Sequence, residues 1–223
     1  TRSLCDWSSD VCSSDLRTMN CYFSMGYQYA ITKDSTSWIA LAVSPGFSQK
    51  SIDFNKLTFD NQYLGDLFNP MAPTGENPSN SRLSYFDMGT SLLFHQLKNN
   101  QHFYLIYQNR HLNRANQNFY SSTIFKQSIY HQIVVGDYIH NANGLTYLPS
   151  ISFSKQNRFL ECVIGAEVML PSAQKNQSLV GGLHYRLKDA IIPSIAINYN
   201  KFRVGLSYDI NISSLKTASH SKG

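Results

Sequence analysis

The stretch "FRVGLSYDINIS" (202–213) places Phe202, Val204, Leu206, Tyr208, Ile210 and Ile212 on one side of an extended chain. Arg203, Gly205, Ser207, Asp209, Asn211 and Ser213 fall on the other. A strict period of two predicts a strand rather than a helix. Strands of globular domains average about 5–6 residues, whereas those that cross a bilayer need about 9–11; this segment has the longer length. Residues 158–170 repeat the pattern, with Leu160, Cys162, Ile164, Ala166, Val168 and Leu170 opposite Glu161 and Glu167. Residues 85–97 and 21–31 do so with more noise, and 37–47, 102–111, 129–139, 145–154, 178–187 and 191–199 are further strands of the same kind.

Turn-forming clusters separate these segments: Lys33-Asp34-Ser35, Lys98-Asn99-Asn100, Asn141-Ala142-Asn143-Gly144, Lys155-Gln156-Asn157 and Asn200-Lys201. Residues 60–82, with Pro70, Pro73, Pro78, Gly65 and Gly75, predict a long loop, and 111–125 a second irregular stretch. The fold class that follows is all-β, an antiparallel up-and-down array of about ten strands.

Composition narrows the setting. Charged residues make up 15% of the chain, below the roughly 25% of soluble domains, while aromatics reach 13%. No apolar run approaches the length of about 18 residues that a membrane helix requires. Such a chain suits a transmembrane β-barrel; a soluble β-barrel binding protein is the rival. In the membrane reading, Leu160, Ile164, Val168, Val204, Leu206 and Ile210 face lipid. Glu161, Glu167, Arg203 and Asp209 face a polar lumen, because carboxylates are costly against hydrocarbon.

Residues 1–16 stand apart. They carry three Asp and no apolar run, so they form no signal peptide. Cys5 and Cys12 fit neither a redox pair nor a zinc pair. Residues 6–16 look like the in-frame translation of a short-read sequencing adapter, and 1–16 are set aside as non-native. Residues 17–223 then form a single barrel domain, expected to be truncated at both ends. This remainder holds 18 basic and 11 acidic residues, a formal charge of +7. Its lysines are scattered between strands and form no stripe of the kind that follows a nucleic-acid backbone, so nucleic acid is not a partner.

Candidate chemistry is sparse. No glycine-rich phosphate loop or nucleophile elbow occurs. Glu161 and Glu167 lie six residues apart on one strand, roughly 20 Å, too far for a glycosidase pair. The seven histidines (95, 102, 111, 131, 140, 184, 220) show no metal-binding spacing, and each reads as a lumen or loop residue. No catalytic residue, metal site or cofactor is predicted, and the chain does not read as an enzyme.

The last third carries a resemblance. Gly182, Tyr185 and Arg186 in one strand, Asp189-Ala190 at the start of the next, and Arg203, Gly205, Ser207, Tyr208 and Asp209 in the last resemble the PorP/SprF family. These are type IX secretion system outer-membrane proteins of the Bacteroidetes lineage. A turn with Ser213 or Ser214, Leu215, Ala218 and Ser219 follows. Upstream, "YFDMGTSLLF", "GFSQKSIDFNKL" and the turn His111-Leu112-Asn113-Arg114 also fit. The resemblance implies an outer-membrane barrel similar to the long-chain fatty-acid transporter type, usually of about fourteen strands. It further implies a role in export or surface retention of large adhesins and in gliding motility, through the adhesins' C-terminal targeting domain and other type IX components. An outer-membrane channel for hydrophobic or small solutes is the alternative.

Overall fold

In the computed structural model the alternation becomes one antiparallel sheet. The structure describes residues 16–54, 57, 60–64, 67–73, 75, 80–119, 124–172, 176–200 and 202–213. The strands are β1 (Leu16–Tyr22), β2 (Met25–Ala30), β3 (Ser37–Ile52), β4 (Tyr63–Leu64), β5 (Leu67–Phe68), β6 (Arg82–Lys98), β7 (Gln101–Arg110) and β8 (Tyr130–Gly136). They continue with β9 (Ile139–His140), β10 (Thr146–Gln156), β11 (Phe159–Pro171), β12 (Gln177–Arg186), β13 (Ala190–Tyr199), β14 (Phe202–Ser207) and β15 (Ile210–Asn211). Thirteen of them form the sheet, in the order β1-β3-β6-β7-β8-β10-β11-β12-β13-β14. β2, β9 and β15 extend the lanes of β1, β8 and β14, so the sheet has ten lanes, the number that the alternation predicts. Residues 60–82 are less irregular than expected, since β4 and β5 form a small ladder there. Gly65 and Pro78 lie outside the described residues, as do residues 1–15 and 214–223. Leu16, within the stretch set aside, is already part of β1 and pairs with Ile52.

Three segments that read as single strands are each split, and each split lies opposite a proline. Between β1 and β2, Phe23 donates to Pro45 O at 3.0 Å; between β8 and β9, Asp137 donates to Pro149 O at 3.1 Å; between β14 and β15, Tyr208 donates to Pro193 O at 3.1 Å. Proline has no N–H to return the bond, so the ladder is interrupted there while the lane continues. The short turns have their own chemistry. In the turn after β2, Thr36 Oγ1 donates to Asp34 at 3.0 Å, and the hydroxyls of Thr32 and Thr36 hold the Asp34 carboxyl below its usual range.

Register shows the two faces directly. Ala42, Ser91, Gln108, Gln132, Ser154 and Glu161 are successive partners from β3 to β11. The next row is Leu41, Leu92, Tyr107, Ile133, Phe153 and Cys162. One row is almost wholly polar and its neighbour mostly apolar, with no slip between lanes. The exposure is inverted relative to a soluble protein. Asp87 and Ser48 on the polar face are each 1% exposed, whereas Val204 and Leu206 on the apolar face are 73% and 77% exposed.

The lanes are also staggered. Ala42 lies five residues from the start of β3 and ten from its end, while its row partner Glu161 lies two from the start of β11 and ten from its end. Because the strands alternate in direction, the lane ends shift by five residues on one side and eight on the other over five steps. At about 3.3 Å per residue and 4.8 Å between strands, this corresponds to a tilt of roughly 35–48°, the range of closed barrels. On β11 the outward residues run from Leu160 to Leu170, and ten residues at that tilt span about 25 Å, the height of an outer-membrane apolar band. The ring is not closed: among the described residues the β1/β2 lane and the β14/β15 lane each keep one edge unpaired.

If the apolar face meets hydrocarbon, Leu206→Arg costs about 2–4 kcal/mol near mid-bilayer. Denaturant unfolding of the full protein in phospholipid vesicles measures this. Ser207→Arg, on the opposite face, costs far less.

Candidate functional site: the concave polar face

The sheet curls toward its polar side. Register carries Glu167 to Gly182, Ser194 and Ser207, and Arg203 lies four residues from Ser207. On a flat sheet their Cα atoms would be roughly 20 Å apart, beyond the reach of the two side chains. Yet Arg203 Nη2 donates to Glu167 Oε2 at 2.7 Å, so the face they share is concave. Gly182 leaves them room: a Cβ there would stand 2.8 Å from Glu167 Cγ and 2.5 Å from Ser194 Oγ.

A second ionic group lies where β11, β12 and β13 meet the 187–189 turn. Arg186 Nη1 lies 3.1 Å from Asp189 Oδ2 and 2.9 Å from Asp209 Oδ2, while its Nε lies 3.3 Å from Glu161 Oε2. The last contact is an ion pair without hydrogen-bond alignment. The turn brings Asp189 into place, with its amide donating to Arg186 O at 3.0 Å. Asp209 sits in the interruption opposite Pro193. The structure therefore gives the two β11 carboxylates separate partners, Arg186 for Glu161 and Arg203 for Glu167, with Asp209 sharing Arg186.

Other positions singled out in the sequence are structural. Gly205 lies against β13, where a Cβ would stand 2.9 Å from the Ala196 Cβ. The Tyr185 hydroxyl accepts from the Lys188 amide at 3.2 Å. Ser207 faces Ser194 across the β13–β14 ladder, and Tyr208 is 52% exposed.

Two further constellations are not evident from the sequence. Asp87 Oδ2 accepts from the Tyr22 hydroxyl at 2.6 Å and from His111 Nδ1 at 2.7 Å, and its Oδ1 accepts from the Met88 amide at 2.8 Å. A buried carboxylate needs such donors. The alternation places Asp87 inward but cannot say that a residue from the 111–129 connection supplies one of them. At the other end of the barrel, Trp38 stacks on His95 at 4.7 Å, and His95 Nδ1 lies 3.1 Å from His102 Nε2. Gln28 Nε2 lies 3.0 Å from His95 Nε2 and the His102 ring stacks on Tyr138. These residues come from five lanes, and no motif spacing connects them.

The remaining histidines divide. His184 lies over Gly165 on the concave side, and His140 Nδ1 lies 2.9 Å from Thr146 Oγ1. His131, partner of Lys155 in the ladder, is turned to the outer face near the start of its strand, where it stacks on Tyr107. His220 lies outside the described residues. Among those residues, no three His, Cys, Asp or Glu side chains are grouped to hold a metal ion, and no helix is long and apolar enough to cross a membrane.

The family model described as type IX secretion system membrane protein PorP/SprF matches residues 11–222, nearly the whole chain. This is a secretion-system family and not an enzyme family. No curated protein matches, and no solved structure does.

Arg186 is shared by Glu161, Asp189 and Asp209. Arg186→Gln removes the cation that these three carboxylates share. Because they are partly exposed, the expected loss is about 1–3 kcal/mol at neutral pH, below the cost of a fully buried pair. Denaturant unfolding in micelles at pH 7 and near pH 4 checks this. Protonating the carboxylates removes their repulsion, so the gap from wild type narrows at the lower pH.

Proposed function

Because the chain belongs to the type IX secretion system membrane proteins of the PorP/SprF family, we propose that it is an outer-membrane component of that system. In this role it assists export or surface retention of large adhesins, and with them gliding motility, by engaging their C-terminal targeting domain. The observation that carries the reading is the inverted sheet, polar where it is concave and apolar where it is convex, over a band about 25 Å tall. In this reading Glu161, Glu167, Arg203 and Asp209 face the lumen, and Leu160, Ile164, Val168, Val204, Leu206 and Ile210 face the lipid of the outer membrane.

The concave face favours a scaffold over an open channel for small or hydrophobic solutes. The Glu167–Arg203 pair reaches across β12 and β13, and residues of the 111–129 connection fold onto β3 and β6. Lumen ion pairs then serve to hold curvature while the mouths of the barrel present groups to partners.

The test is affinity capture of the full-length protein from outer membranes of its own cells. Recovery of a large adhesin through its C-terminal domain, lost when that domain is deleted, is the expected result. Capture of no exported protein, together with conductance or ligand uptake in planar bilayers, would replace this reading with the channel.

A further inference from the structure

At the end of the barrel where β3 enters the 53–81 connection, the outward positions of β3 change from Phe47 to Gln49 and Ser51. Lys50, between the last two, points to the concave side and is partly buried. Its ammonium donates to Gln117 Oε1 at 2.6 Å, and among the described residues it forms no ion pair. The Gln117 Nε2 donates to the Tyr85 hydroxyl at 2.8 Å and also meets Gln127 Oε1. A partly buried cation is thus satisfied by a neutral amide that comes from a connecting segment rather than from the wall.

This is an unequal match. The amide oxygen supplies a hydrogen bond but no opposite charge, which a carboxylate would add, and a partly buried charge without a counter-charge is costly. Tyr85 can reverse its hydroxyl and donate to the second carboxylate oxygen. The wall carboxylate Asp87, two residues from Tyr85 on β6, is already engaged by Tyr22, His111 and its neighbouring amide. The segment that brings Gln117 is fixed at its start by Leu112 donating to Met88 O at 3.0 Å and Asn113 Nδ2 donating to Phe86 O at 2.6 Å. The Gln117 side chain can therefore leave without detaching that anchor.

We propose that Lys50 and Tyr85 form a carboxylate-binding cradle at this mouth, occupied in cis by the Gln117 amide, and that an acidic group of a passing polypeptide displaces it. The chemistry is that of a carboxylate oxygen between an ammonium and a phenol. The carboxylate chemistry stands on this geometry alone, whereas a passing polypeptide as its source rests on the secretion reading; failure to capture an adhesin would leave the cradle standing.

The experiment follows trypsin cleavage after Arg114 and Lys126 in the full-length protein in detergent micelles, with fragments assigned by mass. Gln117→Glu supplies the carboxylate within the chain and should slow cleavage on the order of tenfold relative to Gln117→Ala, which should be cut faster than wild type. The probe is an acetylated, amidated alanine peptide with one glutamate. It should speed cleavage of wild type and have no effect on Lys50→Ala, and its glutamine counterpart should act weakly. Sodium acetate at the same concentration separates the sources: an equal effect supports a cradle for any carboxylate, and a weaker one supports recognition within a polypeptide. If Gln117→Glu is cut as fast as Gln117→Ala, or if the glutamate peptide leaves wild type unchanged, the cradle is overturned.

Discussion

Every backbone N–H and C=O that lies in hydrocarbon must find a partner within the protein. That requirement governs the arrangement of this chain more than any side-chain contact. It explains why ten lanes run side by side in one sheet with the register held from β3 to β11. It also explains the effect of Pro45, Pro149 and Pro193, where one missing donor is enough to divide the neighbouring lane. Closing a ladder requires curl, and curl has a side. Here it is the polar side, where the walls converge and side chains lie down across their neighbours.

Convergence limits what can stand on that face. Tyr22 lies over Gly46, Tyr104 over Gly136 and His184 over Gly165, and a Cβ at each of these glycines would come within 2.2–2.5 Å of the residue above it. Each pairing matches a large polar or aromatic side chain with an absent one in the next lane, which is how a curved sheet accommodates bulk without flattening. The Glu167–Arg203 bridge over Gly182 is the charged version of the same device. Ion pairs and glycines on this face are therefore parts of one solution to curvature. This accounts for a set of sequence positions that looks like a motif.

Much of the fold was legible because strands alternate with a period of two, and that period survives in residues 158–170 and 202–213 almost without error. The legibility failed where polarity stopped alternating. Residues 48–51 are polar on both sides, so the extension of β3 to Ile52 left no signal, although its backbone pairs normally with β6. The splits opposite prolines were not foreseen because the cause lies on another strand. The carboxylates of β11 could be placed by the cost of turning them outward, but their partners could not. Arg186 and Arg203 reach them across lanes that only the register defines. The Asp87–His111 and Trp38–His95–His102 groups were invisible for the same reason: each unites residues whose separation along the chain depends on loop length alone.

The meander has a consequence for how the molecule is made. Apart from the small β4–β5 ladder, each lane pairs with those that follow or precede it in the chain, so the sheet can grow by adding one hairpin at a time to an existing edge. Most such additions close short loops, and their entropy cost is small. The join of β3 to β6 must wait for residues 53–81 to be brought round, and that of β7 to β8 for 111–129. Assembly of the later hairpins, from β10 to β15, is therefore expected to run ahead of the earlier ones, with the β3–β6 seam as the slow stitch.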